Sequence, residues 1–258
     1  MITASSSRHR LSYVKEATYG VMPDTVEWQA LRNTATSLGL SKETLQSEES
    51  REDRQIADFK HGNQQVGGDL SIEFSYGSFA DMLEGALCGT WTDNVLKVGV
   101  ERHSYTFERF FSDIGEYHRF SGINVNTMSL SIAPNAMVTG SFGLVGKGLT
   151  TDKEAVPAAT YAPKSIATPF DSFSGQLMIN GEASTLITGM ELSLDNGVTP
   201  KFVVGSDTTI QPSIKRSNLT GSLSAFFSNS EMINRFINED EVSLSLDLVG
   251  KLGSYKLE

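Results

Sequence analysis

The segment Ser141-Phe142-Gly143-Leu144-Val145-Gly146-Lys147-Gly148 frames a lysine with glycines, the composition of a phosphate cradle. Such a loop needs Gly at its first position, Ser or Thr after the Lys, and a helix start that aims backbone N–H groups at the anion. Ser141 and Gly148 occupy the two deciding positions, and Thr150-Thr151-Asp152-Lys153 opens no helix. The tetrad Leu-Val-Gly-Lys recurs at Leu248-Val249-Gly250-Lys251, so both copies read as strands that run into a glycine bend. The histidines His9, His61, His103 and His118 lack the His-x-x-x-His spacing that puts two metal ligands on one helix face. His103 and His118 would meet only if their strands paired, with Glu101, Glu108 or Glu116 beside them. No Gly-x-Ser-x-Gly elbow is present, and Cys88 sits late in an amphipathic stretch, where a thiol packs as a small apolar group. These residues offer no catalytic group, cofactor site or metal site, and the chain reads as structural rather than enzymatic.

Composition narrows the partners. The 258 residues are 39% hydrophobic and 20% charged, enough to bury a core without cross-links. A single cysteine rules out an internal disulfide and makes a reducing cytoplasm the easier setting. The polar stretch Met1–Leu11 has no apolar centre, so no secretory signal is expected, and no apolar run reaches membrane-spanning length. Net charge is −10, without the basic patch that a nucleic-acid-gripping surface needs to neutralise phosphates. An acidic surface suits DNA only as something to slide past.

The elements that would position any site come from a repeat. Three segments share a short alternating strand containing Leu-Ser, a loop, then a Gly-containing alternating strand. They are Ser37–Ser41 with Val66–Ser75, Met128–Ile132 with Val138–Val145, and Met190–Leu194 with Leu219–Ser228. In the second, Ala133-Pro134-Asn135-Ala136 predicts a hairpin turn. The first and third run into short amphipathic helices. One has Ser78 as N-cap, Phe79, Met82, Leu83, Ala86 and Leu87 on one face, and Gly89 as the stop. The other follows Ser230, with Met232, Ile233, Phe236 and Ile237 on one face. A further strand follows each helix, Tyr105–Phe111 and Val242–Val249. The expectation is a mainly β fold, a β-sandwich or partial barrel with one or two short flanking helices, internally duplicated. Residues 1–146 form the first unit, 147–168 a connector or exposed excursion, and 169–258 a second half packed into the same domain.

Alternation sets Leu70, Ile72 and Phe74 against Asp69, Ser71, Glu73 and Ser75. It also sets Leu130 and Ile132 against Ser129 and Ser131, and Leu192 and Leu194 against Glu191, Ser193 and Asp195. A fourth strand sets Leu244, Leu246 and Leu248 against Ser243, Ser245 and Asp247. Every polar face holds Ser with scattered acids and no Lys or Arg. Ordinary solvent-facing strands use long charged side chains to cover the sheet and guard its edges. The faces read either as a smooth surface that a polyanion can pass, or as the solvent side of an acidic protein. Between the first pair of strands, Lys42–His61 is charged with both signs and is expected to be a long loop. It is either solvated and mobile or a contact element.

The opening Tyr13-Val14-Lys15-Glu16-Ala17-Thr18-Tyr19-Gly20, then Trp28–Thr34, the loop Ser50-Arg51-Glu52-Asp53-Arg54-Gln55 and the helix end Ala86–Trp91 resemble the tail tube (major tail) protein family of long-tailed bacteriophages. The match is sharpest over the first third of the chain. The resemblance implies a virion tail component made in the host cytoplasm, self-assembling into stacked hexameric rings whose β-barrel lumen passes DNA without specific binding. It implies neighbours such as tape measure, tail-completion and distal tail proteins, and neither cofactor nor membrane. On this footing, Asp69, Ser71, Glu73, Ser75, Ser129, Ser131, Glu191 and Ser193 are the candidate lumen face. Glu48, Glu49, Arg51, Glu52, Asp53, Arg54, Asp58 and Lys60, in a loop at about 46–65, are the candidate inter-ring contacts, with Met1–Ser7 as an arm. Four strands from each of six copies, ~4.8 Å apart, would make a barrel about 37 Å across. The alternatives are another tail ring, either a distal tail or a tail-completion protein, and a β-sandwich ligand-binding module. The latter lacks clustered aromatics, since Trp28 and Trp91 stand far apart in sequence.

Overall fold

The computed structural model describes residues 8–53, 55–184, 186–227 and 230–258. The proposed arm Met1–Ser7 and Arg54 of the contact loop lie outside them. Before the first helix run β1 (His9–Glu16), β2 (Glu27–Ala30), β3 (Ala35–Thr36), β4 (Gly39–Gln46) and β5 (Phe59–Glu73). After α1 (Ala80–Leu87) come β6 (Ser104–Phe111), β7 (Glu116–Ile132), β8 (Thr139–Gly146), β9 (Gly148–Asp152) and β10 (Thr160–Tyr161). Then follow β11 (Gly175–Ile179), β12 (Glu182–Ala183), β13 (Ile187–Asp195), β14 (Thr199–Lys201), β15 (Ile210–Ser213) and β16 (Asn218–Ala225). The chain finishes with α2 (Glu231–Asn238), β17 (Leu244–Val249) and β18 (Ser254–Leu257).

The long strand β7 organises the molecule. Its first part pairs with β6 and β9, its last part with β8 and β13. Between them Gly122 adopts φ +66°, and a Cβ there would meet Tyr19 and Lys147 side chains, so the bend needs glycine. One arm of the sheet continues β6-β1-β2-β10 and the other continues β8-β5-β3. Because β2 and β3 are consecutive, the chain passes directly from the second strand of this path to its last.

Both arms turn apolar faces inward. Leu11, Tyr105, Phe107 and Phe120 meet Leu70, Ile72, Phe142 and Leu130 in one core. Helix α1 covers that core with Met82 and Ala86 at 0% exposure. A smaller sheet, β12-β11-β17-β18, joins the same core through Leu177, Leu246 and Leu248. Full burial of each large apolar side chain contributes roughly 1.5–3 kcal/mol.

Several sequence expectations change here. Ser78 is not the helix cap: its hydroxyl accepts from Ser75 Oγ at 2.7 Å, and Phe79 holds the cap position without a side-chain hydrogen bond. Cys88, at φ 49°, makes the left-handed exit expected of Gly89. Gly89 is required for another reason, since a Cβ there would strike the Lys97 carbonyl. The loop expected over Lys42–His61 is shorter, because β4 and β5 stay paired out to Gln46 and Phe59. Within residues 147–168, β9 pairs with β7 and β10 runs parallel to β2. There Tyr161 donates to Glu108, which also holds Arg119 at 3.0 Å. Burial first, and this hydrogen bond second, push the Tyr161 phenol up to about 12.

Candidate functional site

The three Leu-Ser hairpins lie side by side. Running β4-β5-β8-β7-β13-β16, every neighbour is antiparallel. Register aligns their polar residues into rows across β5, β8, β7, β13 and β16. The middle row is Ser71, Ser141, Ser129, Ser193 and Thr220. One flanking row is Asp69, Gly143, Thr127, Asp195 and Asn218, the other Glu73, Thr139, Ser131, Glu191 and Ser222. No Lys or Arg appears in these rows. Ser129 and Ser141 share a 2.7 Å hydrogen bond, so adjacent hydroxyls satisfy one another and lie flat. Asp69, Glu191, Ser193 and Asp195 are exposed, while Ser71, Glu73, Ser129 and Ser131 are half-buried among their neighbours. On the opposite side Leu70, Phe142 and Leu194 seal the sheet to the core.

Ser75 leaves the candidate face. It lies past the end of β5 at 0% exposure, bridged to Pro169, and its hydroxyl also accepts from Arg32 Nη1 at 3.4 Å. The strand alternation breaks where the chain turns toward α1, because β5 ends at Glu73, two residues before Ser75. Ser245 and Asp247 also lie elsewhere, because β17 belongs to the smaller sheet. Alternation marks a half-buried strand but not the sheet it joins. Thr127, Thr139, Ser141 and Thr220 were missed as face residues; the signal was the same alternation, which needed the register to become a surface.

Beyond Val66, β5 pairs among the described strands only with β4, so the two project as a ribbon, tied at its base where Gln64 N–H donates to the Asp207 carbonyl at 2.8 Å. The ribbon ends in the loop 47–58, closed by Ser47 N–H donating to the Asp58 carbonyl at 3.0 Å. Glu48, Glu49, Arg51, Glu52, Asp53 and Asp58 are exposed on this loop, and Lys60 is exposed on β5. Arg51 binds Asp53 through two hydrogen bonds, at 2.8 and 3.1 Å, which hold that carboxyl below its usual range. Water screens such an exposed pair, so it contributes little stability. Leu45, Ile56 and Phe59 are also exposed there, at 57%, 47% and 55%. A two-stranded ribbon with apolar residues in solvent is marginal by itself.

The enzyme-like residues stay apart. His103 Nε2 lies 2.7 Å from the Gly89 carbonyl, while His118 lies opposite Arg109, six positions and about 20 Å along β6. Lys147 lies beside the Tyr19 ring and Gly20 instead of opening a helix. Cys88 is buried, which pushes its thiol up. Among the described residues no cluster of His, Cys, Asp and Glu could hold a metal, and no helix is long and apolar enough to cross a membrane.

Comparison with known proteins identifies the family. The chain is similar to the tube-terminating cap of the anti-feeding prophage, at 12% identity and a TM-score of 0.40, over 60% of this chain and 93% of that one. It is also similar to a chain of the anti-feeding prophage baseplate, at 10% identity and a TM-score of 0.42, over 61% and 99%. No curated protein matches. The family model for phage tail tube proteins matches residues 6–256, nearly the whole chain. The chain belongs to the phage tail tube protein family.

Proposed function

We propose that the protein is the structural subunit of a tail tube, assembling with itself into stacked hexameric rings whose lumen passes DNA during ejection. The observation that carries this reading is the in-register serine-and-acid face, continuous over five strands and free of cations. Phosphates find no counterion to displace on such a surface, so a polyanion slides without adhering.

The sheet edges support self-assembly. Five antiparallel steps separate β4 from β16, so the two edges run in opposite directions. Rotation about a ring axis would bring β16 of one copy beside the β3–β4 edge of the next with the antiparallel alternation intact. Both strands pair on one side only, leaving the templates that edge pairing uses. With six strands from each of six copies, the barrel would be about 55 Å across, wider than the four-strand figure and roomy for a duplex. The projecting ribbon would meet the next ring, and tape measure, tail-completion and distal tail proteins would meet the lumen and the ends.

Negative-stain imaging of the purified protein at high concentration tests this. Hollow tubes are expected. Single closed rings would favour a distal tail or tail-completion role, and monomers alone would contradict self-assembly.

A further inference from the structure

The ribbon and a second feature occupy opposite ends of one sheet. Along β5 the ribbon lies before Val66, and Glu73 marks the other end, beside the turn that joins β7 to β8. At that far end the space between the main sheet and the smaller sheet is open. It forms an apolar cavity of about 240 Å³ lined by Ile132, Pro134, Leu177, Ile187, Met190 and Leu246, with Phe173 84% exposed at its rim. An apolar opening of this kind loses hydration when an apolar group fills it.

We infer that this groove receives the ribbon tip of a second copy, with Ile56 and Phe59 as the inserted side chains. The inference rests on the self-assembly reading and supplies its axial contact. Three observations converge on a second copy as the occupant. The donor residues Leu45, Ile56 and Phe59 are apolar and exposed. Their ribbon continues the axis of the sheet whose opposite end holds the groove, so translation along the strands brings tip and groove together. The seven residues Phe59–Gln65 extend about 23 Å, enough to cross a boundary between stacked copies. A tip-to-groove contact between different patches is heterologous, and repeated along an axis it produces an open filament rather than a closed dimer. This separates the two kinds of contact. Edge pairing closes each ring, and tip-in-groove stacking lengthens the tube.

The test uses the full chain carrying Ile56→Ser with Phe59→Ser. Both residues are exposed in the monomer, so its thermal midpoint should stay unchanged, while tubes give way to single rings or monomers. A second variant pairs Phe59→Cys with Ile187→Cys; oxidised tubes should yield a ladder of covalent oligomers on non-reducing gels, and neither single substitution should. Wild-type tubes together with normal tubes from the double-serine variant, or tubes of the paired-cysteine variant that give no ladder, overturn the groove contact alone. A wild type that forms no tubes overturns both this contact and the tube reading.

Discussion

In the first half, the helix that follows the hairpin is sealed: Met82 is fully buried, and Gly85 lies where a Cβ would sit 3.0 Å from Val125 and 3.1 Å from Tyr105. The helix at the matching place in the second half, α2, leaves Ile233 48% and Ile237 68% exposed. The strand before it, β16, is exposed along its whole length, with Leu219 and Leu223 in solvent on the face that elsewhere meets the core. The same strand–helix–strand order thus yields one region that holds the fold and another in which Leu219, Leu223, Ile233 and Ile237 lie exposed. Amphipathic spacing predicts a helix with one sticky face; it does not say whether that face is covered by its own chain.

The largest expected effect comes from the first half's ribbon. Replacing loop 47–58 by Asn-Gly, a two-residue hairpin turn, should abolish tube formation and leave the monomer's unfolding midpoint where it was. Normal tubes would reduce the ribbon to a solvated loop. Next in size is a matched truncation of the two helices. Met82→Ala should cost about 2–5 kcal/mol in urea unfolding of the monomer, and Ile233→Ala should change it by no more than about 0.5 kcal/mol. Equal costs would mean that α2 packs on its own chain, erasing the contrast.

On the polar face, Ser71→Lys with Ser193→Lys joins one residue from each half in the middle row. Tubes should still form, but cations in the path of DNA should lower infectivity. Unchanged infectivity would place this face away from the DNA.

The smallest effect concerns the anchoring of α1. Burial opposes the Glu84 charge, but hydrogen bonds from Lys15 at 2.7 Å and from the Trp91 N–H outweigh it and hold the carboxyl below its ordinary 4.5. A depressed carboxyl stabilises the fold fully above that ordinary value, and the contribution fades as pH falls through the folded value. Lys15→Met should therefore cost about 1 kcal/mol at neutral pH, a modest figure because Lys15 is partly in water. It should also move the onset of acid unfolding upward, as thermal midpoints across pH 3–7 would reveal.

Much of this was legible in the chain. Period-2 alternation located the strands of all three hairpins, and the face residues Asp69, Ser71, Glu73, Ser129, Ser131, Glu191 and Ser193 do share one surface. Hidden from sequence was the register, because pairing Ser71 with Ser141 and Ser193 with Ser129 is a long-range choice fixed by the core. Ser75 shows the cost of extending a period past its strand, and Ser78 that of reading a cap from residue type when a neighbour already uses the hydroxyl. The groove between the two sheets had no local signal, since Ile132, Leu177 and Leu246 come from three separate strands.

The central claim, that the serine-and-acid face turns toward the lumen, is tested most directly by labelling Ser193→Cys. The native thiol, Cys88, is buried and contributes little background. In the monomer this cysteine should react with a small maleimide and with a bulky protein-coupled one. In assembled tubes it should keep reacting with the small reagent, which enters through the open ends, and lose the bulky one. Bulky label decorating the outer wall of intact tubes would contradict the account.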